Sequence, residues 1–176
     1  MNIFPHSVIR FIVLAVAVTT FIGCSEKLEH EEIIRHAIAI ERGEECHLCG
    51  MVIEKFPGPK GQLYQRGTEK TRKFCSTRDM FAYLLDPEYR HQIQQAYVHN
   101  MALTPWKHPK EDTYIDAKAA WYVIGHIRKG AMGPTLATFK LESEANIFAK
   151  EFGGKLYSFN ELTIDVISTM KEGSHG

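Results

Sequence analysis

Six consecutive residues, Cys46-His47-Leu48-Cys49-Gly50-Met51, gather two thiols and a thioether, and any fold of this chain has to accommodate them. Soft sulfur donors of this kind select Cu(I), Zn(II) or iron–sulfur clusters over hard cations. Gly50 has no Cβ, so the backbone can turn tightly and bring Cys49 and Met51 to one side. A bare Cys-x-x-Cys is also a redox motif. Met51 tilts the balance: a dithiol oxidoreductase has no use for a thioether two residues on, whereas Cu(I) has one. Met51 also suits an apolar role at the start of a strand, Met51-Val52-Ile53.

The N-terminus sets the compartment in which those thiols would work. Met1 to Gly23 reads as a secretory signal, with Arg10 as a basic flank and an apolar run from Phe11 to Ile22. That run is short of the roughly 20 residues needed to span a bilayer. It ends in Phe21-Ile22-Gly23-Cys24, a lipobox-like sequence with Phe21 in the usual leucine position. Cys24 is the expected lipidation site, and acyl chains there would tether the protein to a membrane without spanning it. The expected location is periplasmic, with Ser25 after Cys24 favouring the outer membrane. With Cys24 lipidated, three of the four cysteines remain: Cys46, Cys49 and Cys75. An odd set cannot close a disulfide framework, so at least one thiol is free or otherwise engaged, and bound metal protects thiols in an oxidising compartment. Lys plus Arg number 21 and Asp plus Glu number 21, so no basic excess points to nucleic acid.

Along the mature chain, residues 24–44 are charged and read as a linker that holds the domain off the membrane, with a short helix or a late strand. A strand is expected over Gly50–Glu54, then the loop Phe56-Pro57-Gly58-Pro59-Lys60-Gly61, then strands over Gln62–Arg66 and Thr71–Cys75. Ser76 or Thr77 caps a helix that Asp86-Pro87 ends. The second half replays the pattern: a strand over Ala120–Gly125, a loop over Arg128–Pro134 that mimics the Phe56–Gly61 loop, a strand over Thr135–Lys140, and a helix capped by Ser143 and stopped by Gly153-Gly154. The fold class is α+β, two small duplicated ββαβ-type units. The expected boundaries are 45–97 for the first unit, with the metal motif, 98–113 for an irregular connection, 114–170 for the second unit and 171–176 for a tail. His99 and His108 look exposed in that connection.

Taken together, Cys46-x-x-Cys49-Gly50-Met51, Phe56-Pro57-Gly58-Pro59-Lys60 and Phe74-Cys75-Ser76-Thr77-Arg78-Asp79-Met80-Phe81 resemble NosL, the lipoprotein copper chaperones of nitrous oxide reductase maturation. The likeness continues through Ile115-Asp116-Ala117, Ala119-Ala120-Trp121-Tyr122-Val123, Met132-Gly133 and Phe148 to Gly154. It implies the two-unit arrangement, Cu(I) as the bound ion, and Cys49 and Met51 as matching ligands; Cys46 is the candidate third sulfur, and one Cu(I) per chain is expected. It also implies delivery to apo nitrous oxide reductase or its assembly ABC-transporter system. The cysteine pattern is similar to the YHS and TRASH metal-binding modules too, which carry a further cysteine where this chain has Asp79. Cys46, Cys49, Cys75 and Asp79 could form a Cys₃Asp zinc site, while Cys75 fits equally as a core thiol. Met132 and His126 are the more distant candidate ligands; His47 and Met101 complete the set. Three functions compete: a Cu(I) chaperone without turnover chemistry, a zinc-stapled interaction module, and a thiol oxidoreductase working through Cys46 and Cys49.

Overall fold

The computed structural model describes residues 34–170; the signal sequence, Cys24 and the 171–176 tail lie outside them. Four strands, β1 (Gly61–Gln65), β2 (Arg72–Phe74), β3 (Ile93–His99) and β4 (Tyr114–Asp116), form an antiparallel sheet in the order β2-β1-β3-β4. After β5 (Trp121–Ile124), the two-residue strands β6 (Lys129–Gly130) and β7 (Gly133–Pro134) make a small ribbon. With β8 (Ala137–Phe139) and β9 (Lys155–Ser158), β5 forms a second antiparallel sheet in the order β8-β5-β9. The helices are α1 (Thr77–Leu84), α2 (Glu142–Phe152) and α3 (Ile164–Ser168). The sequences β1-β2-α1-β3 and β5-β8-α2-β9 therefore share one topology, each placing its first strand centrally between the second and third.

Local chemistry accounts for most of these boundaries. The Ser76 hydroxyl accepts the Asp79 N–H at 3.1 Å and caps α1, which ends before Asp86-Pro87 as expected. At α2 the capping differs from expectation. The Leu141 backbone N–H donates to the Glu144 carboxylate at 3.2 Å, and Ser143 lies inside the first turn. Glu144 can reach back across that turn, which a serine hydroxyl at position 143 cannot do. Gly153, at φ 77°, closes the helix. The strand expected over Gly50–Glu54 is reduced to one antiparallel bridge, Glu45 to Val52, followed by a 3₁₀ turn over Ile53–Lys55.

The segment expected to be irregular begins two residues later than expected, because β3 continues to His99. Tyr114–Asp116, grouped from the sequence with the second half, pairs with β3 and extends the first sheet. His99 is fully buried and stacked on Tyr114, with ring centroids 4.0 Å apart, and its Nδ1 accepts the Lys60 N–H at 3.1 Å. His108 is exposed.

Every residue of β1 is buried because both faces of its sheet are covered. Leu63 faces the core, beneath α1. On the other face runs an extended segment, residues 34–40, held by side chains of the sheet. The Gln62 amide exchanges two hydrogen bonds with Ile38, donating to its carbonyl at 2.8 Å and accepting its N–H at 2.9 Å. Tyr64 donates to the His36 carbonyl at 2.8 Å, and Tyr97 donates to the Arg35 carbonyl. The described part of the expected linker is thus docked on the domain and contains no helix. Pairing lets Gln62 be buried without an unmet amide.

One core cluster runs across both halves. Phe81 of α1 meets Tyr122 of β5 edge-on at 5.1 Å, and Ile53, Leu63, Phe74, Met80, Leu136 and Ile167 surround them. Burying a side chain the size of Phe81 stabilises the fold by about 1.5–3 kcal/mol, so α1 is fixed between the two sheets. A smaller cluster joins α2, through Ala145 and Phe148, to Val123, Ala137, Phe139, Met101 and Trp106.

Candidate metal centre

The Glu45–Val52 bridge closes residues 46–51 into a hairpin loop. Within it the Cys46 N–H donates to the Met51 carbonyl at 2.8 Å and the Gly50 N–H to the Cys46 carbonyl at 2.9 Å. Gly50 takes φ 73°, a conformation that strongly favours glycine. The loop is laid against the edge of the first sheet, where the His47 N–H donates to the Lys73 carbonyl of β2 at 2.8 Å. Cys75 follows β2 directly, and Asp79 stands one helical turn further on in the first turn of α1. Strand edge, capped helix and hairpin loop thus converge.

They bring the Sγ atoms of Cys46, Cys49 and Cys75 and a carboxylate oxygen of Asp79 all within 4.8 Å of one another. Cys49 Sγ lies 3.5 Å from Cys75 Sγ, and the Asp79 carboxylate accepts from Cys75 at 3.1 Å and from Cys46 at 3.9 Å. A tetrahedral ion with metal–sulfur bonds of about 2.3 Å needs sulfur–sulfur edges of about 3.8 Å, so the cluster is near ligand spacing. Cys46 and Cys75 are buried, whereas Cys49 is exposed, and all three are free thiols.

The electrostatics favour one thiolate in the metal-free cluster. Hydrogen bonding from Cys75 lowers the Cys46 pKa, and the same contact, together with burial and Asp79, raises that of Cys75. Burial raises Cys49. Behind Cys75, the buried Lys60 ammonium donates to the carbonyls of Phe56, Pro57 and Cys75. Burial pulls its pKa down to about 8.

The structure therefore gathers Cys46, Cys49 and Cys75, and Cys75 is both buried and at the cluster. Asp79 belongs to the same group. Met51 is half-buried at the far end of the hairpin loop, its carbonyl tied to Cys46. Among the described residues, the metal-ligating group contains neither His47 nor His126. His47 lies edge-on to Tyr83 at 5.2 Å and bonds Arg72 at 2.7 Å. His126 is buried between Trp106 and Phe148, edge-on to each, and burial lowers its pKa to about 4. Met101 sits in the second core cluster.

Met132 is 41% exposed in the β6–β7 turn. The β6–β7 ribbon lies between β5 and β8, the first two strands of the second sheet in chain order, so it corresponds to the β1–β2 connection and not, as expected, to the Phe56–Gly61 loop. The two loops nevertheless meet. A Cβ on Gly58 would lie 3.2 Å from the Gly130 Cα, and Arg78 of α1 donates to the Met132 carbonyl at 3.3 Å.

Three thiols and one carboxylate, set at near-ligand spacing on an α+β scaffold, define a candidate thiolate metal-binding protein. The chain belongs to the NosL family, whose profile matches residues 37–167. It is 39% identical over 154 residues to the copper-binding lipoprotein NosL of Stutzerimonas stutzeri, an alignment covering 88% of this chain and 80% of that one. To the copper-binding lipoprotein NosL of Achromobacter cycloclastes it is 30% identical over 167 residues, covering 93% of this chain and 85% of that one. The crystal structure of the copper chaperone NosL from Shewanella denitrificans is similar at a TM-score of 0.74 and 50% identity, over 75% of this chain and 98% of that chain. The α+β fold class expected from the sequence is borne out by that likeness and by the strand topology.

Proposed function

We propose that this protein is a membrane-anchored periplasmic chaperone that holds one Cu(I) and passes it on during maturation of nitrous oxide reductase, either to the apoenzyme or to its assembly ABC transporter. The observation that carries the reading is the sulfur cluster itself. Cys46 and Cys49 come from one hairpin loop and Cys75 from the end of β2, with Cys49 exposed where a partner can reach it. Thiolates match the softness of Cu(I). Met51, from the same loop, would add a thioether. An exposed sulfur beside two buried ones suits transfer, because a partner thiol or thioether can enter at Cys49 while the other two still hold the ion. Such a protein binds and releases its cargo and catalyses no turnover. Cys24 would carry the lipid that keeps it at the membrane, the outer membrane being favoured by Ser25.

Asp79 favours a second reading. Its carboxylate stands where a fourth ligand would, and Cys₃Asp is an acceptable tetrahedral zinc set. The oxidoreductase alternative is weaker, since Cys46 and Cys49 lie in a hairpin loop and not at a helix N-terminus, a common device for activating a thiol. Metal analysis of protein purified anaerobically separates the three. The chaperone reading expects close to one copper per chain after Cu(I) loading, retained through desalting. Retained zinc with copper excluded would replace it with the zinc module, and no metal with a reversible Cys46–Cys49 disulfide would replace it with redox chemistry.

A further inference from the structure

The Phe56-Pro57-Gly58-Pro59-Lys60 stretch has so far been only a loop, yet its last residue is a lysine 3% exposed. Its Nζ donates to three carbonyls, Phe56 at 2.7 Å, Pro57 at 3.1 Å and Cys75 at 3.1 Å. A neutral amine has two N–H groups; three carbonyl acceptors require the ammonium. No carboxylate pairs with it among the described residues, where the one ion pair joins Lys73 to Glu44. An unpaired buried charge is costly unless negative charge stands nearby. The acidic groups acting on this ammonium are Cys75, Glu111 and Cys46, two of them in the metal cluster; of the two thiols, Cys46 is the one whose pKa is lowered. The clamp also fixes that charge against the Cys75 carbonyl, beside the cluster, where it can have an electrostatic role beyond holding the loop.

Charge bookkeeping supplies one. When the same donors hold Cu(I) or Zn(II), the copper form carries one more negative charge than the zinc form, whichever of the four donors ligate. A fixed positive charge beside the cluster therefore stabilises the copper form more. We propose that Lys60 is a positioning residue that sets metal selectivity: its buried ammonium, held against the Cys75 carbonyl, biases the cluster toward a monovalent soft cation over a divalent one. This rests on the copper reading above and adds to it a selectivity determinant outside the ligand set. One unit of charge across a few ångströms at an effective dielectric near 20 corresponds to a change of at least about tenfold in the ratio of the two affinities.

The test uses the full mature chain, reduced and anaerobic at pH 7. Cu(I) affinity is measured against a chromogenic chelator and Zn(II) affinity against a fluorescent indicator, for wild type, Lys60→Arg and Lys60→Gln. Glutamine keeps N–H donors for the carbonyls and drops the charge; arginine keeps the charge. The expected result is a Cu(I)-to-Zn(II) affinity ratio at least about tenfold lower in Lys60→Gln and restored toward wild type in Lys60→Arg. Equal weakening of both metals, leaving the ratio unchanged, would mean a structural clamp and would overturn the proposal. If circular dichroism shows Lys60→Gln unfolded, Lys60→Met takes its place; the same fall in the ratio is expected, and an unchanged ratio overturns the proposal. A wild-type protein that takes up no Cu(I) would instead defeat the copper reading itself.

Discussion

Substituting Gly61 by alanine should loosen the seat of the metal centre from a distance. Gly61 opens β1 and faces Met80 of α1, which is fully buried. A Cβ there would run into Met80 Sδ and lie 2.9 Å from its Cβ and 3.1 Å from its Cγ. All three contacts are with the residue next to Asp79, so relief requires α1 to move off the sheet. Overpacking of this kind costs about 1–3 kcal/mol. Lost freedom of the glycine in the unfolded chain returns about 0.4–1 kcal/mol, because Gly61 is not among the positive-φ glycines. The net loss is then about 1–2 kcal/mol, which in a domain of this size lowers Tm by about 3–6 °C. Thermal unfolding of the metal-free protein followed by circular dichroism reads it directly. The partner variant Met80→Ala removes the two outer atoms of the clash, so Gly61→Ala/Met80→Ala should lose less than the sum of the singles by about 1 kcal/mol. A wild-type Tm for Gly61→Ala, with strict additivity in the double variant, would refute the close β1–α1 packing that places Asp79 beside Cys75.

Replacing Asp79 by cysteine completes a four-thiolate tetrahedron at positions already within 4.8 Å. Zinc affinity should rise by at least tenfold in an indicator competition, and no gain would mean that position 79 does not face the ion. His99 is held neutral by burial, with its pKa lowered to about 3 from 6.5, so the unfolded chain binds its proton first. Its contribution is complete above pH 6.5 and is lost as pH falls toward 3. His99→Gln should reduce the pH slope of the urea midpoint near pH 5 by about one proton, or about 1.4 kcal/mol per pH unit; an unchanged slope would argue against a buried neutral His99. Cys24→Ala should release the protein from washed membranes without changing metal binding, and continued membrane retention would remove the lipid anchor from the account.

The chemistry was legible where its residues are consecutive. Cys46, Cys49 and Gly50 sit in one hairpin loop whose glycine adopts the turn expected of it, and the Ser76 cap is a local signal that the structure repeats. Cys75 is 26 residues from Cys49, and spacing alone left it between core and site. Its place follows from β2 running alongside the hairpin loop. Asp79 was visible only as the position where related modules carry a cysteine. The misread parts share a physical cause: polar groups satisfied by distant backbone. His99 looked exposed because nothing local reveals that the Lys60 N–H meets it across the sheet edge. Residues 34–40 looked like a tether because Gln62, Tyr64 and Tyr97, which hold them, lie on other elements. The β6–β7 turn was matched to the wrong loop because its Gly-Pro content resembles that of Phe56–Gly61, whereas connectivity, which composition does not encode, pairs it with the β1–β2 connection.

The central claim is that the exposed thiol of the cluster holds copper. It is tested most directly by titrating Cu(I) into reduced wild type and Cys49→Ser against a chromogenic chelator. The account predicts one tightly bound equivalent in the wild type and loss of tight binding in the variant, because serine removes a soft thiolate from a set too small to spare it. Met51→Leu should weaken binding less, since it replaces a neutral donor and keeps the apolar volume. Binding by Cys49→Ser as tight as wild type would contradict the account and place the copper elsewhere on the chain.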